Sequence, residues 1–222
     1  MLDAAFERAL GDVGNALSWP FPVLFRTVFG ATSRVVISGN DAELLDAFVE
    51  AGEDLRRKGA CALTTSCGFL VLRQSYLAAR LNLPLATSSL LQLPTVQRLV
   101  PPEKSVGVVT YDSSSLTAAH LAAAGVDNPV PIAGLPADGH FRGLIEGGEP
   151  YRKEALEKEL SETVERLLAQ SPDIGALIFE CTNLPPFSQS MARRFGLPVF
   201  DILTLGRWLH ASAVTLRRSA TI

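Results

Sequence analysis

The sequence predicts an α/β protein of two similar lobes, each built on a parallel sheet. Three observations carry that expectation. Short Val/Ile/Leu runs alternate with segments of helical apolar spacing, the order that builds right-handed βαβ units. Of the 222 residues, 47% are hydrophobic and 19% charged, which suits strands buried on both faces. A stretch of the first half also repeats in the second without a gap.

The elements follow in order. Residues 34–38 form a β-branched run and read as a strand. Residues 41–58 read as an amphipathic helix, with Asp41 at its N-cap and Leu44, Leu45, Phe48, Val49 and Leu55 at helical spacing. Residues 60–64 read as a buried strand, 68–81 as helix and 84–86 as strand. The run 105–110 (SVGVVT) is the clearest strand of the set. Residues 115–124 read as a helix that Gly125 stops. A strand at 130–132 follows, then a helix over 154–170 with Leu156, Leu160, Val164, Leu167 and Leu168 on one face. Strand 174–179, helix 187–195, strand 198–202 and a closing helix over 203–217 complete the chain. The one long irregular stretch is 136–151, with four glycines; loops of that length are usually functional or mobile.

Composition excludes several classes. The apolar content rules out a disordered chain. Twenty Lys and Arg against 23 Asp and Glu, with no basic run, rule out a basic nucleic-acid binder. The longest uncharged stretch, between Arg80 and Arg98, is broken by Asn82, Pro84, Ser88, Gln92 and Pro94, so no membrane span is expected. Asp3, Glu7 and Arg8 preclude a basic-then-apolar secretory signal. Three cysteines, an odd number, argue for a reducing cytoplasm.

The repeat places Cys67 over Cys181, 114 residues on. Ala62-Leu63 then falls on Ala176-Leu177, Arg80 on Arg194, and Leu83-Pro84-Leu85 on Leu197-Pro198-Val199. Upstream, residues 35–39 resemble 130–134. The expected division is a first lobe over 1–100, a second over 101–202, and a final helix over 203–222 that packs back on the first. Each repeated cysteine stands where a strand ends and a helix begins. Ligands of open α/β sheets bind there, and the free N–H groups of a helix start stabilise a thiolate. Two lobes related by a pseudo-twofold would set the thiols face to face across a cleft. Two acid/base groups on opposite faces of one carbon suit racemisation. Cys61 has Gly175 as its counterpart and reads as inert core.

These paired halves resemble the aspartate/glutamate racemase superfamily over nearly the whole chain. That superfamily includes amino-acid racemases, hydantoin racemase, maleate isomerase and arylmalonate decarboxylase. Its second cysteine lies in a Cys-Thr motif, matched by Cys181-Thr182. Its first is often followed by Asn-Thr; here Gly68-Phe69 follows Cys67, a departure from typical glutamate or aspartate racemases. The resemblance implies flavodoxin-like lobes and a cofactor-independent isomerase. Its expected activity is racemisation of an amino acid or related carboxylate by Cys67 and Cys181. The alternatives are a cis-trans isomerase or decarboxylase using one cysteine, or a non-catalytic two-lobed binding protein. It implies carboxylate binding by Thr65, Ser66, Thr182 and Asn183, where helix starts present N–H groups. It points also to Asp12 and Asn15 in the polar loop 11–15, and to Thr110 and Ser114 after the 105–110 strand. An ordinary turn at 11–15 and helix capping by Ser114 or Ser115 are the competing structural roles.

The chain has no Walker loop, no G-x-G-x-x-G after a strand, no G-x-S-x-G elbow and no metal-ligand spacing, so no cofactor or metal is expected. His120 and His210 read as structural; His140 lies in the 136–151 stretch, within reach of a cleft. The expected partners are a small carboxylate or amino-acid substrate and further copies of the chain, without nucleic acid or membrane. In the second half a full strand precedes the polar loop. In the first, residues 1–10 hold Asp3, Glu7 and Arg8 and no Val/Ile run, so the opening strand of that lobe is expected to be missing or stunted.

Overall fold

A computed structural model of the chain describes residues 1–214. In order, the elements are α1 (Ser33–Ile37), α2 (Leu45–Arg57), β1 (Leu63–Thr64), α3 (Gln74–Arg80), β2 (Leu85–Ala86), α4 (Leu93–Leu99), β3 (Ser105–Thr110) and α5 (Ala118–Ala123). They continue with β4 (Ile132–Gly134), α6 (His140–Glu146), α7 (Lys153–Gln170), β5 (Ile174–Phe179), α8 (Ser188–Phe195), β6 (Val199–Phe200) and α9 (Ile202–Ala213). Residues 215–217 of the expected closing helix lie outside the described residues, as does the rest of 215–222. No helix among the described residues is long and apolar enough to cross a membrane.

The α/β architecture with parallel sheets is the one the sequence predicts. β3 and β5 are six-residue apolar runs buried almost throughout, and they pair in parallel at the centre of a four-stranded sheet of order β4-β3-β5-β6. Burial on both faces is what such runs favour. The first half holds a two-stranded parallel sheet, β1-β2. The repeat is visible in its register. Leu63 pairs with Leu85 as Leu177 pairs with Val199, and Thr64 with Ala86 as Ile178 with Phe200. Leu63 N–H donates to the Pro84 carbonyl and Leu177 N–H to that of Pro198, each at 2.9 Å. α9 packs over this half, with Ile202, Leu203 and Leu205 against Val13, Trp19 and Ala86. Gly206 lets the Trp19 ring lie on the helix, since a Cβ there would stand 2.5 Å from it.

Several elements differ from the sequence expectation. Residues 34–38 form not a strand but α1. Thr32 Oγ1 accepts the Val35 N–H at 3.4 Å, and Val36 is the one buried residue of the helix, too little apolar surface for a two-faced strand. The resemblance of 35–39 to 130–134 is therefore not structural. The equivalent neighbour in the first half is irregular chain near residue 28. Val28 N–H donates to the Met1 carbonyl at 3.0 Å, as Leu135 N–H donates to that of Thr110 at 3.1 Å. Residues 1–10 contain no strand. Asp41 does not cap its helix through its side chain, because Arg73 holds its carboxylate. The 136–151 stretch contains α6. α5 is capped by Thr117, whose hydroxyl sits 3.0 Å from His120 Nδ1, and not by Ser114 or Ser115.

Candidate active site

Both repeated cysteines line one small cavity. Cys67 leaves β1 in an extended conformation and opens the 3₁₀ turn Gly68–Arg73. Thr65 pins this loop, its hydroxyl 2.6 Å from the Thr87 carbonyl and 3.1 Å from that of Cys67. Cys181 follows β5 and Glu180. Each thiol is 7% exposed. Burial pushes both well above the ordinary thiol range, and the Glu180 carboxylate adds to that. The N–H groups of Phe69 and Leu70 act in the opposite direction on Cys67, whereas only that of Asn183 does so on Cys181. Cys181 Sγ also lies 3.7 Å from Asn183 Oδ1, to which it donates as a thiol. Of the two sulfurs, Cys67 is the better placed to carry a negative charge.

The cavity is about 30 Å³, walled by Ser66, Glu180, Tyr111, Thr182 and Asn183 and roofed by Leu2, Ile37 of α1 and Ile145 of α6. Larger hollows of about 570 and 460 Å³ elsewhere lack this convergence of thiols and polar groups. A pseudo-twofold contact closes the floor. Thr182 Oγ1 donates to the Ser66 carbonyl at 2.8 Å. By the 114-residue offset, Gly68 is the counterpart of Thr182 and Glu180 that of Ser66. At Gly68 a Cβ would stand 2.6 Å from the Glu180 carbonyl and collide with its carboxyl. Glycine is what allows Glu180 into the site.

Glu180 is buried, and burial raises its carboxyl to about 7. Thr110 donates its hydroxyl to Glu180 Oε2 at 2.7 Å. Tyr111 donates its own to Glu146 at 2.8 Å, beneath the Arg142 guanidinium. Among the described residues that line the cavity none is Lys, Arg or His, and no group of three or more His, Cys, Asp or Glu side chains is arranged to hold a metal ion.

The remaining expected site residues divide. Asp12 is buried and accepts the Asn183 side-chain amide at 2.7 Å, so it orients the residue that orients Cys181. Ser66 reaches the cavity; its hydroxyl accepts the Leu2 N–H at 2.8 Å. Asn15 does not line the cavity, because it caps the local 3₁₀ turn at Leu17. Thr65 braces the Cys67 loop from behind. Ser114 is exposed and bonded to Asp112. His140 does not line the cavity, since α6 turns Ile145 toward it. Cys61 is half-buried, not sealed core, and borders the apolar hollow beside β1. Sequence reasoning missed Glu180 and Tyr111. The glycine after Cys67 was the available signal for Glu180.

Comparison with known proteins corrects the expected activity. No known family profile matches the chain. A dimethylsulfoniopropionate lyase of Durusdinium sp. clade D is 31% identical over 209 residues, covering 91% of this chain and 69% of its own length. Dimethylsulfoniopropionate lyase 6 of Emiliania huxleyi is 29% identical over 221 residues, and the chain spans 58% of it. Among solved structures, a glycine-to-cysteine variant of arylmalonate decarboxylase superposes with TM-score 0.61 at 17% identity, covering 89% of this chain and 83% of that one. Allantoin racemase of Klebsiella pneumoniae superposes with TM-score 0.57 at 18% identity, covering 80% and 69%. These two share the racemase-like fold expected of the superfamily. The expected function, an amino-acid racemase of the isomerase class, is overturned: the sequence relatives are lyases. Two cysteines at one cavity are the geometry a racemase needs, but proton removal at one face also initiates an elimination, so the pair alone did not distinguish them.

Proposed function

The chain belongs to the dimethylsulfoniopropionate lyase family, and from that premise we propose that it cleaves a β-sulfonio carboxylate of this type. The reaction is a β-elimination that releases dimethyl sulfide and leaves acrylate. The observation that supports it is the charge of the cavity. Two thiols and a carboxyl meet there without a Lys, Arg or His among the described lining residues. A thiolate in such a place lacks a counter-charge until the substrate brings one, and a sulfonium is a fixed cation.

On this reading Cys67 is the base. Its thiolate, aided by the Phe69 and Leu70 N–H groups, takes the proton from the carbon next to the substrate carboxylate. The electron pair left behind forms the carbon–carbon double bond as the bond from the β-carbon to sulfur breaks. The sulfonium sulfur takes that bonding pair and leaves as neutral dimethyl sulfide. Cys67 ends as a thiol and returns its proton to water after product leaves. Ser66, whose oxygen already accepts the Leu2 N–H, retains its hydroxyl proton to donate to the substrate carboxylate. Cys181 stays a thiol on Asn183, which Asp12 fixes in turn. A cavity of about 30 Å³ holds a water or two, so substrate entry lifts the roof of Leu2, Ile37 and Ile145.

The test is to incubate the purified protein with dimethylsulfoniopropionate, measuring dimethyl sulfide by headspace gas chromatography and acrylate by NMR. The expected result is equimolar release of both. No sulfide above the protein-free blank, from protein shown to be folded, would overturn the reading.

A further inference from the structure

Glu180 has no part in the elimination as described, although it lines the cavity with both cysteines. Its position is not forced by the fold. The first half seats Ser66 at the equivalent place and completes the same floor with the Thr182 hydroxyl. The second half replaces that arrangement with a carboxyl admitted by Gly68. The two oxygens of Glu180 differ. Oε2 accepts the Thr110 hydroxyl, and the Tyr111 N–H also faces the carboxyl. Oε1 is buried and has no partner. A buried carboxylate oxygen without a donor is costly. With Oε2 already accepting, the proton of a neutral carboxylic acid belongs on Oε1, which is then a donor at the wall of the cavity.

We propose that Glu180 is a substrate-binding acid: it is held neutral, and its Oε1–H donates a hydrogen bond to the substrate carboxylate. The proposal rests on the lyase reading of the site. As the proton leaves the adjacent carbon, negative charge accumulates on the carboxylate oxygens. A fixed donor there strengthens in the transition state and costs no reorganisation. Burial is what favours the neutral form of Glu180; the Thr110 hydroxyl and the Tyr111 N–H, from β3 and its end, act in the opposite direction without offsetting it. The Cys67 and Cys181 thiols line the same cavity. Asp41, paired with Arg73, acts on Cys67 and Asp12, paired with Arg8, acts on Cys181, each with negative charge, and no Lys, Arg or His is among the described residues that line the cavity. The neutral acid also relieves the repulsion that an ionised Glu180 exerts on either thiolate.

Two variants and one spectrum test this. Glu180→Gln places an amide donor where Oε1–H stood and cannot ionise; Glu180→Ala removes the donor. Sulfide release by Glu180→Ala is expected to fall by about 100-fold or more in kcat, the usual loss for one such donor. Glu180→Gln is expected to stay within about tenfold of native and to lack the decline in rate expected of the native protein as Glu180 ionises past about pH 7. The infrared spectrum of native minus Glu180→Gln is expected to hold a protonated-carboxyl band at about pH 6, which acrylate shifts to lower frequency. A Glu180→Gln variant as slow as Glu180→Ala at every pH would overturn the proposal and make the ionised carboxylate the active form. So would an absent band, or one that acrylate leaves unmoved. If the native protein releases no sulfide, the lyase reading fails, and the band and its response to acrylate still decide whether Glu180 is a neutral donor.

Discussion

Gly68→Ala perturbs the site by a single methyl group. The added Cβ would stand 2.6 Å from the Glu180 carbonyl and against its carboxyl as well. Ordinary van der Waals contact needs roughly 3.5–4.0 Å, so the two strands of chain must separate by about 1 Å. The carbonyl is backbone at the end of β5, so it cannot swing aside as a side chain would. Overpacking of this kind costs about 1–3 kcal/mol, and a loss of 2 kcal/mol lowers Tm by roughly 4–8 °C in a chain of this size. Cys67 is the adjacent residue, and a 1 Å misplacement of a catalytic group lowers the rate about 100-fold. The assay is dimethyl sulfide release with a thermal melt on the same sample. Gly196→Ala is the control: φ is +65° there, at the end of α8, and no atom lies within 4 Å, so it costs backbone strain away from the site. The expected result is a lower Tm in both variants and a lower rate in Gly68→Ala alone. A Gly68→Ala protein with native kcat would refute the close packing of Glu180 on the Cys67 loop.

Two further predictions concern stability. Glu180 has a folded value of about 7 against 4.5 when exposed, so the native state holds its proton more tightly. The stabilisation is full below pH 4.5 and lost as pH rises to about 7, a change of about 3 kcal/mol. Denaturant melts should show the native protein losing about that much stability relative to Glu180→Gln as pH rises over this range; a pH-independent difference would contradict it. Arg73 pairs with Asp41, which is 2% exposed, so Arg73→Ala leaves a buried carboxylate without its cation. The expected loss is about 3–5 kcal/mol by denaturant titration, and a loss within error of zero would show that the pair does not hold α3 to the chain before α2.

The legible parts of the fold are those whose local pattern agrees with their burial. The 105–110 and 174–179 runs form β3 and β5 at their predicted bounds because both faces are covered. The repeat around the cysteines survives in the register of β1 with β2 and β5 with β6. Residues 34–38 show the opposite case. β-branched composition suggested a strand, but a strand needs a neighbour, and the irregular chain near Val28 takes that place beside Met1. α6 was hidden by its glycines, and the fold seats it where His140 N–H meets the Glu159 carboxylate. In the site, two cysteines at one cavity were legible from spacing. Asn15, Thr65 and Ser114 were not, because small polar residues near a helix start serve local turns as readily as ligands. Gly68 carried information that was read only as a departure from a motif. A missing side chain is a sign that something else fills the space, and here it is Glu180.

The central claim is that Cys67, and not Cys181, removes the proton that starts the elimination. The measurement is the initial rate of dimethyl sulfide release from dimethylsulfoniopropionate by Cys67→Ala and Cys181→Ala, each compared with the native protein. Loss of a placed base lowers a rate about 10²–10⁴-fold, and Cys67→Ala is expected within that range. Cys181→Ala is expected to fall less, because its thiol is bonded to Asn183 and supports the site rather than taking the proton. Native-like release by Cys67→Ala, or a deeper loss in Cys181→Ala than in Cys67→Ala, would contradict the assignment.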